Sequence, residues 1–172
     1  FFPINTAKNK ADVLAIGSIL DNLPEDFSGY IIGAGLMNDI HKEFPYAKKL
    51  TVRGKLTREN INAHEDIILG DPGLLADRLI KKRQKKQYTI GIVPHYVDKN
   101  DERCRSIYLR NKGDVCIIDV QRKPHKVITD IDKCCYIISS SLHGVIVADS
   151  LGIPNAWMLL SEKVLGNGFK FN

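Results

Sequence analysis

The sequence predicts an α/β protein made of two Rossmann-like halves, each built on a parallel sheet. Short apolar, β-branched runs recur along the 172 residues, as expected for strands that are covered on both faces. Each run ends in glycine or polar residues, and most lead into a segment with helical spacing. The alternation of strand, turn and helix then starts again after a basic cluster. This recurrence is typical of parallel α/β sheets.

The first half is expected to contain four strands and two helices. The strands are predicted at 12–16, 30–32, 50–52 and 67–69. The helices are predicted at 56–63 and over the apolar positions between Leu74 and Ile80.

The second half is expected to begin after the basic cluster at residues 81–86. Its strands are predicted at 89–93, 115–120, 134–138 and 155–160, and its helices at 101–112, 128–133 and 145–151. We therefore place a domain boundary near residues 83–87. The predicted domains are residues 1–85 and 86–172.

The turn between the strand at 134–138 and the helix at 145–151 reads Ser139-Ser140-Ser141-Leu142-His143-Gly144. Amides of a first helical turn and the positive end of the helix dipole attract anions, and serine hydroxyls add hydrogen-bond donors. We interpret this turn as a site for phosphate or carboxylate, with His143 beside it as an acid or base. The alternative is that the serines only cap the helix and the histidine is structural.

Further candidate residues stand at the carboxyl ends of other predicted strands, where ligands of open α/β sheets bind. Gly33 and Gly35 are interpreted as a loop that lets a ligand approach the backbone, with a plain tight turn as the alternative. Arg53 is suited to a forked contact with carboxylate or phosphate, and a surface salt bridge is its alternative. His95 follows a proline and is predicted to face the ligand or to cap the sheet edge. If these edges of the two halves face one another, they form a cleft suited to a small molecule.

The composition is that of a globular cytoplasmic protein. Hydrophobic residues make up 44% of the chain and charged residues 26%, which is ordinary for a globular domain. No apolar run approaches the ~20 residues of a membrane span. The four cysteines have no metal-ligand spacing and are interpreted as reduced thiols, so no metal site is expected.

The formal net charge of +5 favours anionic partners. We interpret the basic cluster at residues 81–86 as a solvated helix end, because cations there complement the helix dipole. An anionic membrane surface or a diphosphate-bearing substrate is the alternative, which would place the chain at the inner face of the cytoplasmic membrane. Nucleic acid is not expected as a partner, because the cluster has no interleaved aromatic residues and no reader motif is present.

A set of short motifs occurs along the chain in a specific order. They are Ala15-Ile16-Gly17-Ser18-Ile19-Leu20, Ile32-Gly33-Ala34-Gly35, Thr51-Val52-Arg53-Gly54, Leu69-Gly70-Asp71-Pro72-Gly73, Gly91-Ile92-Val93-Pro94-His95, the stretch 137–154, and Gly168-Phe169-Lys170-Phe171. This ordered set resembles the polysaccharide pyruvyl transferase family. Members of that family place a pyruvate ketal on a sugar of a bacterial exopolysaccharide, capsule or cell-wall polymer.

The resemblance implies a fold similar to that of the two-domain (GT-B-like) glycosyltransferases. It also implies phosphoenolpyruvate as donor, a sugar hydroxyl pair as acceptor, no separate cofactor, and His143 as the catalytic residue. Together with the anion-site reasoning above, the predicted substrate-binding residues are Arg53, Ser139, Ser140, Ser141, Gly144, His95, Gly33 and Gly35. The acceptor sugar is expected to be linked to a lipid, a nucleotide or a polymer.

The chain also departs from the family pattern. It lacks the Asn-x-Gly-Asp loop after the first strand and stops at Asn172, so we expect it to be incomplete at both ends. Two other functions fit the same residues. One is a nucleotide-sugar glycosyltransferase or epimerase of similar architecture. The other is a non-catalytic module that binds anionic glycans.

Overall fold

The computed structural model describes residues 10–164. These residues form two compact units, one ending at Pro72 and the other extending from Gly73 to Val164. Each unit contains a four-stranded sheet in which every pairing is parallel. The predicted α/β class with two parallel sheets is therefore confirmed.

The sheet of the first unit has its strands in chain order. They are β1 (Val13–Leu14), β2 (Tyr30–Ile32), β3 (Lys48–Val52) and β4 (Ile68–Leu69), and helix α1 (Lys55–Asn60) follows β3. A single core, which includes Leu14, Ile31 and Val52, covers one face of this sheet. Tyr30 and Leu50, at strand positions outside this core, are exposed. The expectation that both faces of the sheet are covered is therefore wrong for this unit.

The sheet of the second unit has a different strand order. Its strands are β5 (Tyr88–Val93), β6 (Val115–Ile117), β7 (Cys134–Ser139) and β8 (Asn155–Trp157), arranged as β6-β5-β7-β8. The chain therefore adds β6 on one side of β5 and then returns to add β7 on the other side. This reversal is a topological switch point, and it lies between β5 and β7.

Three helices cover both faces of the second sheet. They are α2 (Glu102–Arg110), α3 (Pro124–Asp132) and α4 (Leu142–Ser150). Neighbouring residues of a strand face opposite sides, and accordingly Ile92 packs with Cys104 of α2 while Val93 shares a core with Ile131 of α3 and Ala148 of α4. The near-continuous apolar run of β5 reflects this two-sided burial.

The segment Pro72–Leu79 is a 3₁₀ helix, where an apolar α-helical face was expected. A 3₁₀ helix has three residues per turn, so residues 73 and 76 lie on one face while residues 74 and 75 point elsewhere. Gly73 and Ala76 are buried accordingly, and Leu74 and Leu75 are exposed. Leu79, the last residue of the segment, is also exposed although the spacing places it on the face of Gly73 and Ala76. The predicted apolar stripe is therefore not the buried face of this segment.

Two residues of the basic cluster are anchored to the second unit. Arg83 Nε donates to Asp132 Oδ1 at 2.7 Å, and Lys86 Nζ donates to the Asp132 carbonyl at 2.9 Å. The Gln84 amide donates to the other carboxylate oxygen at 2.6 Å. Asp132 is fully buried, so Arg83 and Lys86 form ion pairs with α3 that the interpretation of the cluster as a solvated helix end did not include, although their side chains remain partly exposed. Residues 73–85 thus pack with the second unit, although the sequence analysis assigned them to the first domain.

Candidate functional site

The switch point of the second sheet brings two predicted motifs together. Val93 at the end of β5 pairs with Ser139 at the end of β7. The residues that leave these strands are His95 on one side and the serine turn, residues 139–144, on the other. In open α/β sheets ligands bind outside the carboxyl ends of strands at such a switch point. The sequence predicted both motifs but did not predict that they are neighbours.

Ser139 supports this edge from inside the protein. Its side chain is completely buried, and its hydroxyl accepts from the Ser141 amide at 3.0 Å. The same hydroxyl lies 2.9 Å from the Val93 carbonyl and 2.8 Å from the Ser141 carbonyl, either of which takes its one proton. The hydrogen-bonding capacity of Ser139 is therefore used within the turn.

Ser140 links the two loops of the switch point. Its hydroxyl accepts a hydrogen bond from the His95 amide at 2.8 Å, and its own amide donates to the Val93 carbonyl at 3.1 Å. A serine hydroxyl that accepts still has one O–H to donate. Ser140 can therefore fix the position of His95 and donate to an anion.

Ser141 is the N-cap residue of α4. Its backbone is extended (φ −97°, ψ 127°), and its carbonyl accepts from the amides of Gly144 and Val145 at 3.0 and 3.3 Å. Its side chain makes no capping hydrogen bond. The positive end of the α4 dipole therefore lies at the switch point, where the sequence predicted an anion site.

His143 is the second residue of α4 and is half-buried. Its Nε2 atom is shielded from solvent. The position on the first turn of α4 places the imidazole at the same edge as Ser140 and Ser141. This is the neighbourhood that the sequence predicted for a catalytic histidine.

Gly144 lets α4 pack closely against the sheet. A Cβ at this position would overlap the Ser139 hydroxyl and lie 2.9 Å from Val93 Cγ1. The contact partners are protein atoms, so the packing of α4 is enough to require glycine here. Its predicted role in binding substrate stays a prediction.

His95 leaves β5 on a well-supported turn. It follows the buried Pro94, adopts φ −60° and ψ 149°, and is the N-cap of a 3₁₀ helix, Tyr96–Asp98. Its imidazole packs against the Tyr96 ring, with centroids 4.5 Å apart and planes inclined by 39°. The half-buried ring is therefore held at the sheet edge.

Arg53 connects the loops at the carboxyl edge of the first sheet. Its Nη1 donates to the Ser18 hydroxyl at 2.6 Å, and its Nη2 donates to the Leu36 carbonyl. Burial lowers the pKa of Arg53, while the negative charges of Asp71 and Asp21 act in the opposite direction. The guanidinium nevertheless stays charged, because the intrinsic pKa of arginine lies far above neutral pH. Two of its five N–H groups serve the fold, and its charge is partly balanced by nearby carboxylates.

The two glycines predicted to approach a ligand are in contact with protein atoms. A Cβ on Gly35 would lie 2.5 Å from Arg53 Cζ. Gly33 has a positive φ of 76°, and a Cβ there would overlap the Pro72 ring. Both glycines thus allow the loops after β2, β3 and β4 to pack against one another.

The structure brings the predicted residues together within each unit. Gly33, Gly35 and Arg53 share the edge of the first sheet, and the remaining candidates share the switch point of the second. The sequence analysis missed Tyr96, which contacts His95, and it placed Ser18 within a motif without predicting its contact with Arg53. Tyr96 directly follows the motif that ends at His95, and this proximity was the available signal. Within residues 10–164, no group of three His, Cys, Asp or Glu residues is placed to hold a metal ion.

Comparison with known proteins identifies the family. The family model described as polysaccharide pyruvyl transferase matches residues 5–161. The chain belongs to this family. The resemblance seen in the order of motifs is therefore confirmed, although Gly168-Phe169-Lys170-Phe171 lies outside the described residues. No helix among the described residues is long and apolar enough to cross a membrane.

Two relatives of this family member extend the comparison. The chain is 36% identical over 136 residues to the uncharacterized protein L143 of Acanthamoeba polyphaga mimivirus, covering 74% of the chain and 47% of the relative. It is 25% identical over 170 residues to the succinoglycan biosynthesis protein ExoV of Rhizobium meliloti (strain 1021), covering 93% of the chain and 51% of the relative. The chain thus spans about half the length of these curated relatives. No solved structure matches it.

Proposed function

We propose that this chain is part of an enzyme that transfers pyruvate from phosphoenolpyruvate to two hydroxyls of a sugar, forming a ketal. The product would be an exopolysaccharide, a capsule or a cell-wall polymer, made on the cytoplasmic side of the membrane. The supporting observation is the switch point of the second sheet, where the N-terminus of α4, Ser140 and the two histidines share one edge. Membership of the pyruvyl transferase family supports the reaction type.

The proposed donor has chemistry that suits this edge. Phosphoenolpyruvate carries a phosphate and a carboxylate, and helix N-termini bind such anions through their amides and dipole. Ser140 has an O–H to donate beyond its bond with His95. We therefore assign donor binding in the second unit to the start of α4 and Ser140, with Ser139 holding the turn from beneath.

The proposed reaction needs one proton delivered to carbon and two removed from hydroxyls. Protonation of the donor's methylene carbon makes the central carbon electrophilic, and the first sugar hydroxyl adds to it with loss of its proton. The second hydroxyl then forms the other C–O bond as the C–O bond to phosphate breaks. Pyruvate ends as a ketal, and inorganic phosphate leaves. His143 is the proposed acid or base for these transfers.

The proposal for the first unit concerns Arg53, Gly33 and Gly35. Arg53 keeps N–H groups beyond those bonded to Ser18 and Leu36, and we propose that these bind an anionic group of the substrate. Gly33 and Gly35 would act by shaping the loops around Arg53. Because carboxylates already balance part of the charge on Arg53, we expect its contribution to be smaller than that of the α4 turn.

Phosphate release from phosphoenolpyruvate by the full-length protein tests the proposed function. We expect release that depends on an acceptor, found by screening lipid-linked, nucleotide-linked and polymeric sugars. His143→Ala should lower turnover by about 100-fold or more, the size expected for loss of a general acid–base group. The exposed His125 on α3 provides the matched control, and His125→Ala should keep normal activity.

Three results would contradict the proposal. Near-normal turnover in a folded His143→Ala variant would remove this histidine from the chemical step. Failure of phosphoenolpyruvate to bind, with release of a nucleoside diphosphate from a nucleotide sugar instead, would indicate a glycosyltransferase. Tight binding of anionic glycans without any turnover would indicate a binding module.

A further inference from the structure

Tyr96 is an exposed aromatic side chain at the switch point of the second sheet. It is the first residue of the 3₁₀ helix that follows His95, and 54% of its surface is exposed. A single exposed aromatic residue is not unusual on a protein surface. This one stands where α/β sheets bind ligands, next to the turn on which the proposed chemistry depends.

The backbone that carries Tyr96 is held from both sides. The preceding His95 amide is bonded to Ser140, and the His95 carbonyl accepts from the Asp98 amide at 2.8 Å. Asp98, at the other end of this short helix, is buried and accepts from the Ser161 hydroxyl at 2.5 Å. The Tyr96 ring also packs on the His95 ring. Tyr96 is thus an aromatic surface on a rigid support, which lowers the entropy cost of binding.

The substrate class of the family explains what such a surface would bind. A sugar ring has faces of C–H groups and a rim of hydroxyls, so it combines an apolar plane with polar edges. A tyrosine offers the matching combination of an apolar ring and one phenolic hydroxyl. We infer that Tyr96 is the stacking residue for the acceptor, with a pyranose ring lying on its face. This inference rests on the proposed function and names the acceptor subsite within it.

Two exposed tyrosines of this unit are placed differently, whereas the exposed Trp157 ends β8 at the same carboxyl edge, paired with Ser139, but does not adjoin His95 in the chain. Tyr136 is 53% exposed but lies in the middle of β7, three residues before its end. Tyr108 lies on α2. Neither stands at the carboxyl edge of the sheet, and neither adjoins His95 or the serine turn in the chain. Tyr136 is therefore a control of matched residue type and exposure.

Kinetics of the full-length protein test the assignment. Tyr96→Ala should raise the KM for the acceptor by about tenfold, which corresponds to about 1.4 kcal/mol of stacking, and leave the KM for phosphoenolpyruvate unchanged. Tyr96→Phe keeps the ring and should stay within about threefold of the wild type for the acceptor, because most of the effect is apolar. Tyr136→Ala should match the wild type in both constants. Active Tyr96→Ala protein with a normal acceptor KM would overturn the inference and leave the proposed function standing.

Sugar binding without turnover separates the two hypotheses. Saturation-transfer NMR would be recorded with methyl glycosides of glucose, galactose and mannose, for the wild type and for Tyr96→Ala and Tyr136→Ala. We expect saturation of ring C–H protons of at least one glycoside, lost in Tyr96→Ala and kept in Tyr136→Ala. The same result in a protein that neither binds nor consumes phosphoenolpyruvate would refute the proposed function and support the sugar subsite. Equal saturation in Tyr96→Ala and wild type, or none in either, would overturn the subsite.

Discussion

Close contacts at the two sheet edges are made possible by residues that lack a side chain. Gly144 lies against the Ser139 hydroxyl and Val93, and Gly35 lies against the guanidinium of Arg53. A pattern of glycine and serine before a helix usually suggests a ligand-binding loop, because glycine lets a ligand approach the backbone closely. The structure shows that protein atoms already occupy the space beside these glycines. Their first effect is to hold Ser139 and Arg53 in place.

The packing at Gly144 leads to a prediction about stability. Gly144→Ala would put a methyl group onto the Ser139 hydroxyl and force α4 away from β7, which should cost about 1–3 kcal/mol. Ser139→Ala removes the nearest clashing atom, so the double variant should be more stable than the sum of the two single effects. Urea unfolding followed by the fluorescence of Trp157, the one tryptophan of the chain, measures this. Strictly additive effects would show that the two sites do not touch.

At the scale of elements, the residue composition of short segments predicts where the strands lie, but it does not predict whether a helix is an α-helix or a 3₁₀ helix. All eight strands of residues 10–164 lie within or beside the predicted ranges, because strands are enriched in β-branched and aromatic residues whether or not both faces are buried. The segment Pro72–Leu79 has the same apolar content as an α-helix, yet it forms a 3₁₀ helix. The choice depends on which residues the neighbouring core accepts, here Gly73 and Ala76, and the local sequence does not contain that information.

Helix α2 is stabilised at its start by Asp101. Its carboxylate accepts from the Arg103 amide at 2.9 Å and from Arg103 Nη2 at 2.6 Å. The hydrogen bond from the Arg103 side chain is the main cause that lowers the pKa of Asp101 to about 2. An unfolded aspartate has a pKa of about 3.9. The stabilising effect is therefore complete above about pH 4 and is lost as the pH falls toward 2.

Two substitutions of Asp101 separate the effect of its N-cap hydrogen bond from the effect of its negative charge. Asp101→Ala should lower the stability of the second unit by about 1 kcal/mol at pH 6, the usual cost of losing an N-cap. Asp101→Asn keeps a capping oxygen, so it should lose less at pH 6 and show a smaller decrease in stability between pH 4 and pH 2.5 than the wild type. Urea midpoints at these pH values measure both effects. The same acid sensitivity in all three proteins would disprove the role of the Asp101 charge.

At the scale of the whole chain, strand order decides what the motifs mean. The sequence predicted His95 and the turn at 139–144 as separate candidates on one sheet edge. Their contact depends on β7 returning to lie beside β5, and that pairing joins residues about 45 positions apart. Periodicity reports only which residues are buried, so it does not contain the order of strands. For the same reason it did not indicate that the basic cluster is held by Asp132 on α3.

The ion pair between Arg83 and Asp132 leads to a prediction in which the loss of Arg83 lowers stability more than the loss of the Asp132 charge. Asp132 is fully buried, whereas the side chains of Arg83 and Lys86 are 55% and 40% exposed. Arg83→Met leaves a buried carboxylate whose nearest cation is Lys86 Nζ at 3.8 Å, and this should cost about 3 kcal/mol. Asp132→Asn leaves two cations that reach water and should cost less. The double variant Arg83→Met with Asp132→Asn should therefore be more stable than Arg83→Met alone, because the uncompensated buried charge is gone. Urea midpoints from Trp157 fluorescence rank the three variants, and a double variant less stable than Arg83→Met would show that the charge of Asp132 is not what Arg83 compensates.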